Sequence, residues 1–133
     1  MNGPDNNKED QDRRVLLSKN RQRKQALENR RRLSVRQRRE KSRLICRQIA
    51  GLKEIKGART IFSYMAVYDE VDLFELHLFM KERGKIIAFP ISLPHGKMKA
   101  AVPQGEDAFE VGAYGIRTPI ESRSRILRPE EID

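Results

Sequence analysis

Leu44, Ile45, Ile49 and Leu52 fall on one stripe of a helix. Ser34-Val35-Arg36-Gln37 precedes that stripe and has the form of a capping box, so a helix is predicted from Ser34 to a stop at Gly51 or Gly57. Upstream, about Arg13 to Arg32 is rich in Arg, Lys, Gln, Leu and Ala with no Gly or Pro, which predicts another helix by propensity. Residues 1–12 have no apolar residue after Met1 to bury and are expected to form a disordered tail.

The pattern then changes. Thr60 to Ala66 is a short, apolar, β-prone run, the mark of a largely buried strand. Asp72 to Arg83 returns to helical spacing, with Leu73, Leu76, Phe79 and Met80 inward, Asp72 as a cap and Gly84 as the residue past the end. Lys85 to Phe89 is the next strand, ended by Pro90, and Met98 to Val102 is a further short one after the Pro94-His95-Gly96 turn. Strand, helix, strand with short links is a βαβ unit with a right-handed crossover and parallel strands. From Phe109 onward turns stand at Gly112, Gly115 and Pro119 and periodicity is weak.

Charge divides the chain further. Residues 13–47 hold 15 Lys and Arg against two acids, a net +13, whereas residues 48–133 are net −1 and residues 1–12 net −3. The partner of the basic segment should be anionic. Three readings stay open for it: a solvated face, a nucleic-acid arm, or a nucleotide phosphate site. No aromatic residue lies between Arg13 and Arg59 to stack on single-stranded bases. At 133 residues the chain is one domain in size. Its single Cys and two His exclude a disulfide framework and a Cys- or His-based metal site, and no apolar run is long enough to span a bilayer. Without a recognisable targeting segment, the cytoplasm is the expected compartment.

Ligands in open α/β sheets bind beyond the carboxyl ends of the strands. The first strand runs out into Val67-Tyr68-Asp69-Glu70, whose acids and phenol suit a polar ligand. The alternative is that Asp69 and Asp72 cap the next helix and Glu70 is loop charge. His77 and Cys46 read as helix residues packed inward, and His95 as a turn residue. No GxxxxGK[ST] or GxGxxG loop is present, so the residue pattern by itself points to no ATP enzyme.

Taken in order, five blocks resemble the 5-formyltetrahydrofolate cyclo-ligase family. They are Lys19-Asn-Arg-Gln-Arg23; Arg31-Arg32-Leu33-Ser34 with Lys41-Ser42 and Ile45; Ile61-Phe-Ser-Tyr-Met-Ala-Val-Tyr-Asp-Glu-Val-Asp72; Gly84-Lys85 with Phe89-Pro90 and Met98; and Gly112-Ala-Tyr-Gly-Ile-Arg-Thr-Pro119. Gln22 stands where the family usually has Leu. Family members continue past the position of Asp133 into a Gly-rich loop and Tyr-Tyr-Asp, so the chain is expected to be a truncated form ending before the ATP loop.

The resemblance implies ATP-dependent conversion of 5-formyltetrahydrofolate to 5,10-methenyltetrahydrofolate in one-carbon metabolism, with Mg²⁺ on the ATP phosphates. It implies that Lys19 and Arg23 bind ATP and that Met65 and Glu70 contact the folate. It names no catalytic residue and no protein metal ligand. The expected architecture is α/β: an N-terminal helical hairpin packed on a mainly parallel sheet with a βαβ unit, incomplete at the C-terminus, in one partial domain over residues 13–133. Neither a membrane nor a nucleic acid is expected as a partner. The rival reading is a non-catalytic basic accessory or nucleic-acid-binding protein.

Overall fold

The computed structural model describes residues 4–67, 69–112 and 115–133, in two units, Met1–Arg36 and Gln37–Asp133. Met1 to Gly3, Tyr68, Ala113 and Tyr114 lie outside the described residues. The first unit is built on α1 (Pro4–Arg31). Residues 4–12, expected as a disordered tail, are the opening turns of this helix. The expectation rested on their lack of anything to bury, but extending a helix needs no burial, because each added residue gains one hydrogen bond once the helix exists. Along α1, the Gln25 side-chain amide donates to Asn29 Oδ1 one turn away, at 3.1 Å.

The chain continues through α2 (Val35–Ala50), which begins directly after Ser34, and Gly51 ends it. A short α3 (Lys53–Gly57) follows, and the Lys85 ammonium donates to its terminal region at Lys56 O (3.0 Å) and Ala58 O (2.6 Å). Next come β1 (Thr60–Phe62), α4 (Phe74–Glu82), β2 (Ile86–Ser92), β3 (Met98–Pro103), β4 (Phe109–Val111), β5 (Arg117–Pro119) and β6 (Ser124–Leu127). The main sheet runs β1-β2-β3-β6, and β4-β5 is a separate hairpin.

β1 and β2 pair in parallel, Ile61 opposite Ile87, with α4 as the crossover, which is the βαβ unit expected. The α/β class therefore stands, and its sheet is mixed: β2–β3 and β3–β6 are antiparallel. The link between β2 and β3 is only residues 93–97, and a connection that short closes an antiparallel pair but not a parallel one. The weakly periodic tail supplies three strands, whose three or four residues are too few for alternation to be read.

Pro90 sets two boundaries that differ from expectation. β2 continues through Pro90 to Ser92, and β1 stops at Phe62 instead of reaching Ala66. Ser63 N–H donates to Ala88 O at 2.9 Å, so the next rung toward β1 would need an N–H on Pro90, which proline lacks. The β1 ladder ends there, and β2 carries on against β3, where Pro90 stands opposite Ala100.

The core lies mainly on one face of the sheet. Cys46 of α2, Leu73, Leu76 and Met80 of the α4 region, and Ile87 and Phe89 of β2 are buried together. Ile49, Ile61, Met65, Val71 and Phe109 pack around them. The opposite face has a smaller cluster of Ala88, Ala100 and Leu127 with Val102 and Ile132. After Ile132, Asp133 Oδ2 accepts from the N–H groups of Arg59 and Thr60, both at 2.9 Å, and these two donors hold its carboxyl below the usual carboxylate range.

α4 ends as expected. Gly84, at φ +72°, donates to Lys81 O at 3.0 Å, and Lys85 N–H donates to Met80 O at 3.0 Å, the two bonds of a Schellman motif. Nothing lies within 4 Å of a Cβ built on Gly84, so Gly84→Ala meets only the left-handed backbone strain and should cost about 1–2 kcal/mol in urea unfolding. Gly57→Ala, at an equally open site with ordinary φ, should be neutral or stabilising by roughly 0.4–1 kcal/mol. Equal effects at the two sites would mean that Gly84 is not held by its backbone.

Candidate functional site

The segment between β1 and α4, residues 63–73, lies past the carboxyl end of β1, and its described residues form no helix or strand. Its backbone groups therefore need partners other than a ladder. The Val67–Glu70 turn closes on itself: Glu70 N–H donates to Val67 O at 3.0 Å, and Val67 N–H donates to Glu70 Oε1 at 2.9 Å. The Tyr64 hydroxyl donates to Val71 O at 3.0 Å. Asp72 N–H donates to Ser42 Oγ at 3.0 Å, and the Cys46 thiol donates to Asp72 O at 3.4 Å. Asp72 Oδ1 accepts from Phe74 N–H at 3.0 Å and so serves the first turn of α4.

The site residues expected from sequence fall into two pairs. Lys19 and Arg23 stand one turn apart on α1, both exposed. Met65 and Glu70 share the loop after β1. Met65 is half-buried against the main core cluster. Glu70 is half-buried, with Oε1 engaged in its own turn, and a carboxylate has further lone pairs to offer. The N-cap of α4 is Leu73, which has no side-chain cap bond, and Asp72, one position earlier, takes only the first helical amide, while Glu70 secures the loop and retains acceptor capacity. Tyr68, the phenol of the expected rim, lies outside the described residues, as do two positions of the Gly112–Pro119 block.

Sequence reasoning missed the supports of this loop. Ser63 and His77 are joined by a hydrogen bond of 2.7 Å between Oγ and Nε2. The His77 ring stands edge-on to Phe89 at 5.2 Å, and Phe89 stands edge-on to Phe109 at 5.8 Å. The start of the loop is thereby tied to α4 and to the core. Ser42, quoted in the Lys41-Ser42 block of the resemblance, had no site role assigned, although it lies one turn before Cys46, on the stripe that continues to Ile49 and Ala50, where a lone hydroxyl is out of place. Among the described residues no group of three or more His, Cys, Asp or Glu could hold a metal ion, and no helix is long and apolar enough to cross a membrane.

The chain is an α/β domain with a βαβ unit, and its bonded, polar loop stands at the carboxyl end of the first strand, where open α/β sheets receive ligands. Residues 15–133 match the family model described as the 5-formyltetrahydrofolate cyclo-ligase family, and the chain belongs to that family. Among solved structures it is similar to the NMR structure of Aquifex aeolicus 5,10-methenyltetrahydrofolate synthetase, at 27% identity and a TM-score of 0.69. The match covers 84% of this chain and 55% of that one, so the chain spans about half the length of this solved relative. No curated protein matches.

Burial against Phe89 holds the His77 pKa below its ordinary 6.5; the nearby Asp72 charge opposes this and Lys81 adds to it. The unfolded chain therefore takes up a proton at His77 at a higher pH than the folded one. The stability contributed by neutral His77 is fully present above about pH 6.5 and is lost as pH falls from there through the folded-state pKa. Urea midpoints should fall between pH 7.5 and 5.5 in the parent chain, and less in His77→Gln. The same fall in both would place the pH dependence on another group.

Proposed function

We propose that this chain carries out, or forms the folate-contacting part of a protein that carries out, ATP-dependent conversion of 5-formyltetrahydrofolate to 5,10-methenyltetrahydrofolate in the cytoplasm. The observation that carries the reading is the family match over residues 15–133, which takes in all four candidate ligand contacts. The synthetase named in the solved relative supports the same reaction. In this reading the γ-phosphoryl group of ATP passes to the formyl oxygen of the folate. The N10 amine then attacks the activated carbon, and phosphate leaves with that oxygen.

The protein's part is positioning and charge neutralisation. The lone pairs of Glu70 not taken by Val67 accept from the polar edge of the folate ring, and Met65 gives an apolar surface beside it. Lys19 and Arg23, two cations one helical turn apart, suit successive phosphate groups. Mg²⁺, held on the phosphates, would supply further neutralisation of charge.

Titration calorimetry tests both pairs. Glu70→Gln should weaken 5-formyltetrahydrofolate binding by about 1.5–3 kcal/mol, the range for a hydrogen bond to a charged group, while ATP binding is unchanged. Lys19→Ala and Arg23→Ala should each weaken ATP binding by a similar amount and leave folate binding alone, with Arg39→Ala as a silent control. Wild-type folate affinity in Glu70→Gln would reduce Glu70 to a turn residue. Loss of ATP binding in Arg39→Ala equal to that in Lys19→Ala would make the basic segment a diffuse anion attractor instead of a phosphate site.

A further inference from the structure

Ser42 is a hydroxyl in an apolar place. α2 turns Cys46, Ile49 and Ala50 into the main core cluster, and Ser42, one turn earlier, is only 8% exposed. A hydroxyl removed from water is costly unless it is bonded, and Ser42 is bonded to a main-chain group, Asp72 N–H. Cys46, on the next turn of α2, holds the carbonyl of the same residue. Burial raises the Cys46 thiol pKa, which keeps its proton in place as a donor. Both backbone groups of Asp72 are therefore taken by two side chains one helical turn apart.

Glu70 lies between this grip and the Val67 turn. On one side its own backbone and carboxylate close the turn. On the other, Val71 is held by the Tyr64 hydroxyl and Asp72 by α2. With the turn closed on one side and Val71 and Asp72 held on the other, few backbone torsions remain to re-aim the Glu70 carboxylate. We propose that Ser42 and Cys46 form a two-point backbone clamp on Asp72 that fixes the direction in which Glu70 is presented, making Ser42 a positioning residue for the ligand that Glu70 receives. The ligand part rests on the reading of Glu70 as a folate contact; the clamp itself rests on the bonds to Asp72. A purely structural Ser42 would satisfy one amide and stabilise the fold, with no special link to Glu70.

The two roles separate in a double-mutant cycle on the full chain. Ser42→Ala should bind 5-formyltetrahydrofolate about three- to tenfold more weakly, the range for losing one neutral hydrogen bond. Ser42→Thr, which keeps the hydroxyl, should restore binding. In the Glu70→Gln background, Ser42→Ala should cause no further loss. Unchanged affinity in Ser42→Ala, or fully additive losses in the double variant, would overturn the proposal.

Amide exchange of the ligand-free chain supplies the second readout. Ser42→Ala should speed exchange at residues 70–72 while α4 and β2 keep their protection; no local change, or a uniform rise across the chain, would overturn the clamp. If the parent chain binds no 5-formyltetrahydrofolate, the functional reading falls by itself, and the exchange result alone decides the clamp. Should Ser42→Ala fail to fold, Cys46→Ala and Cys46→Ser carry the test. The alanine variant should free residues 70–72 and the serine variant, which keeps a donor, should hold them; equal exchange in the two would overturn the clamp.

Discussion

The parallel pairing of β1 with β2 is the constraint from which the rest follows. Two parallel strands cannot be joined by a tight turn, so the chain must leave β1 at its carboxyl end, cross one face of the sheet and enter β2 from the other end. α4 is that crossing, and it brings Leu76 and Met80 onto Ile61, Ile87 and Phe89. The stretch from Ser63 to Leu73 exists because the chain has to travel from the end of β1 to the start of α4. Pro90 sharpens the break: without its N–H the ladder to β1 cannot take another rung, and the chain leaves the sheet at Ser63.

A loop without a ladder must satisfy its main chain in some other way. Here side chains do it, and most belong to residues that also look chemical. Glu70 accepts from Val67, Asp72 from Phe74, Ser42 from Asp72, and Tyr64 donates to Val71. Function and architecture are therefore not alternatives for these groups. A carboxylate with one oxygen already held has little conformational freedom left to lose when a ligand arrives, which is the physical advantage of preorganisation. The chain Ser63–His77–Phe89–Phe109 extends the same rigidity from the loop into the core and to the β4–β5 hairpin.

Much of the fold was legible in the sequence, and the failures have physical causes. α2, α4 and β2 were visible because each carries enough apolar positions for its period to show, and Gly84 marked the end of α4 because only a left-handed residue completes that motif. The antiparallel half of the sheet was not visible. β6, its last strand, has four residues, and β4 and β5 of the separate hairpin have three each, too few for a pattern to decide what they pair with. The opening turns of α1 were missed because burial was the criterion and helix extension does not need it. In the site, Met65 and Glu70 came from motif and strand end. Ser42, Ser63 and His77 did not, because their roles depend on which distant backbone they meet: Ser42 is 30 positions from Asp72 and His77 is 14 from Ser63.

The two pairs of candidate contacts are different kinds of physical object. Lys19 and Arg23 are exposed cations in a segment crowded with like charge, and interactions between exposed charges are screened within about 8–10 Å at ordinary salt. In the proposed reading their grip on a phosphate depends on proximity, and it should respond to ionic strength. Glu70 is a half-buried acceptor whose carboxylate is held within its own turn by a charge-assisted bond from the Val67 N–H, a short-range contact that salt screens far less than it screens separated charges. In the proposed reading, recognition at Glu70 depends on angles set by α2 and by the end of β1, through the bonds to Asp72 and Val67.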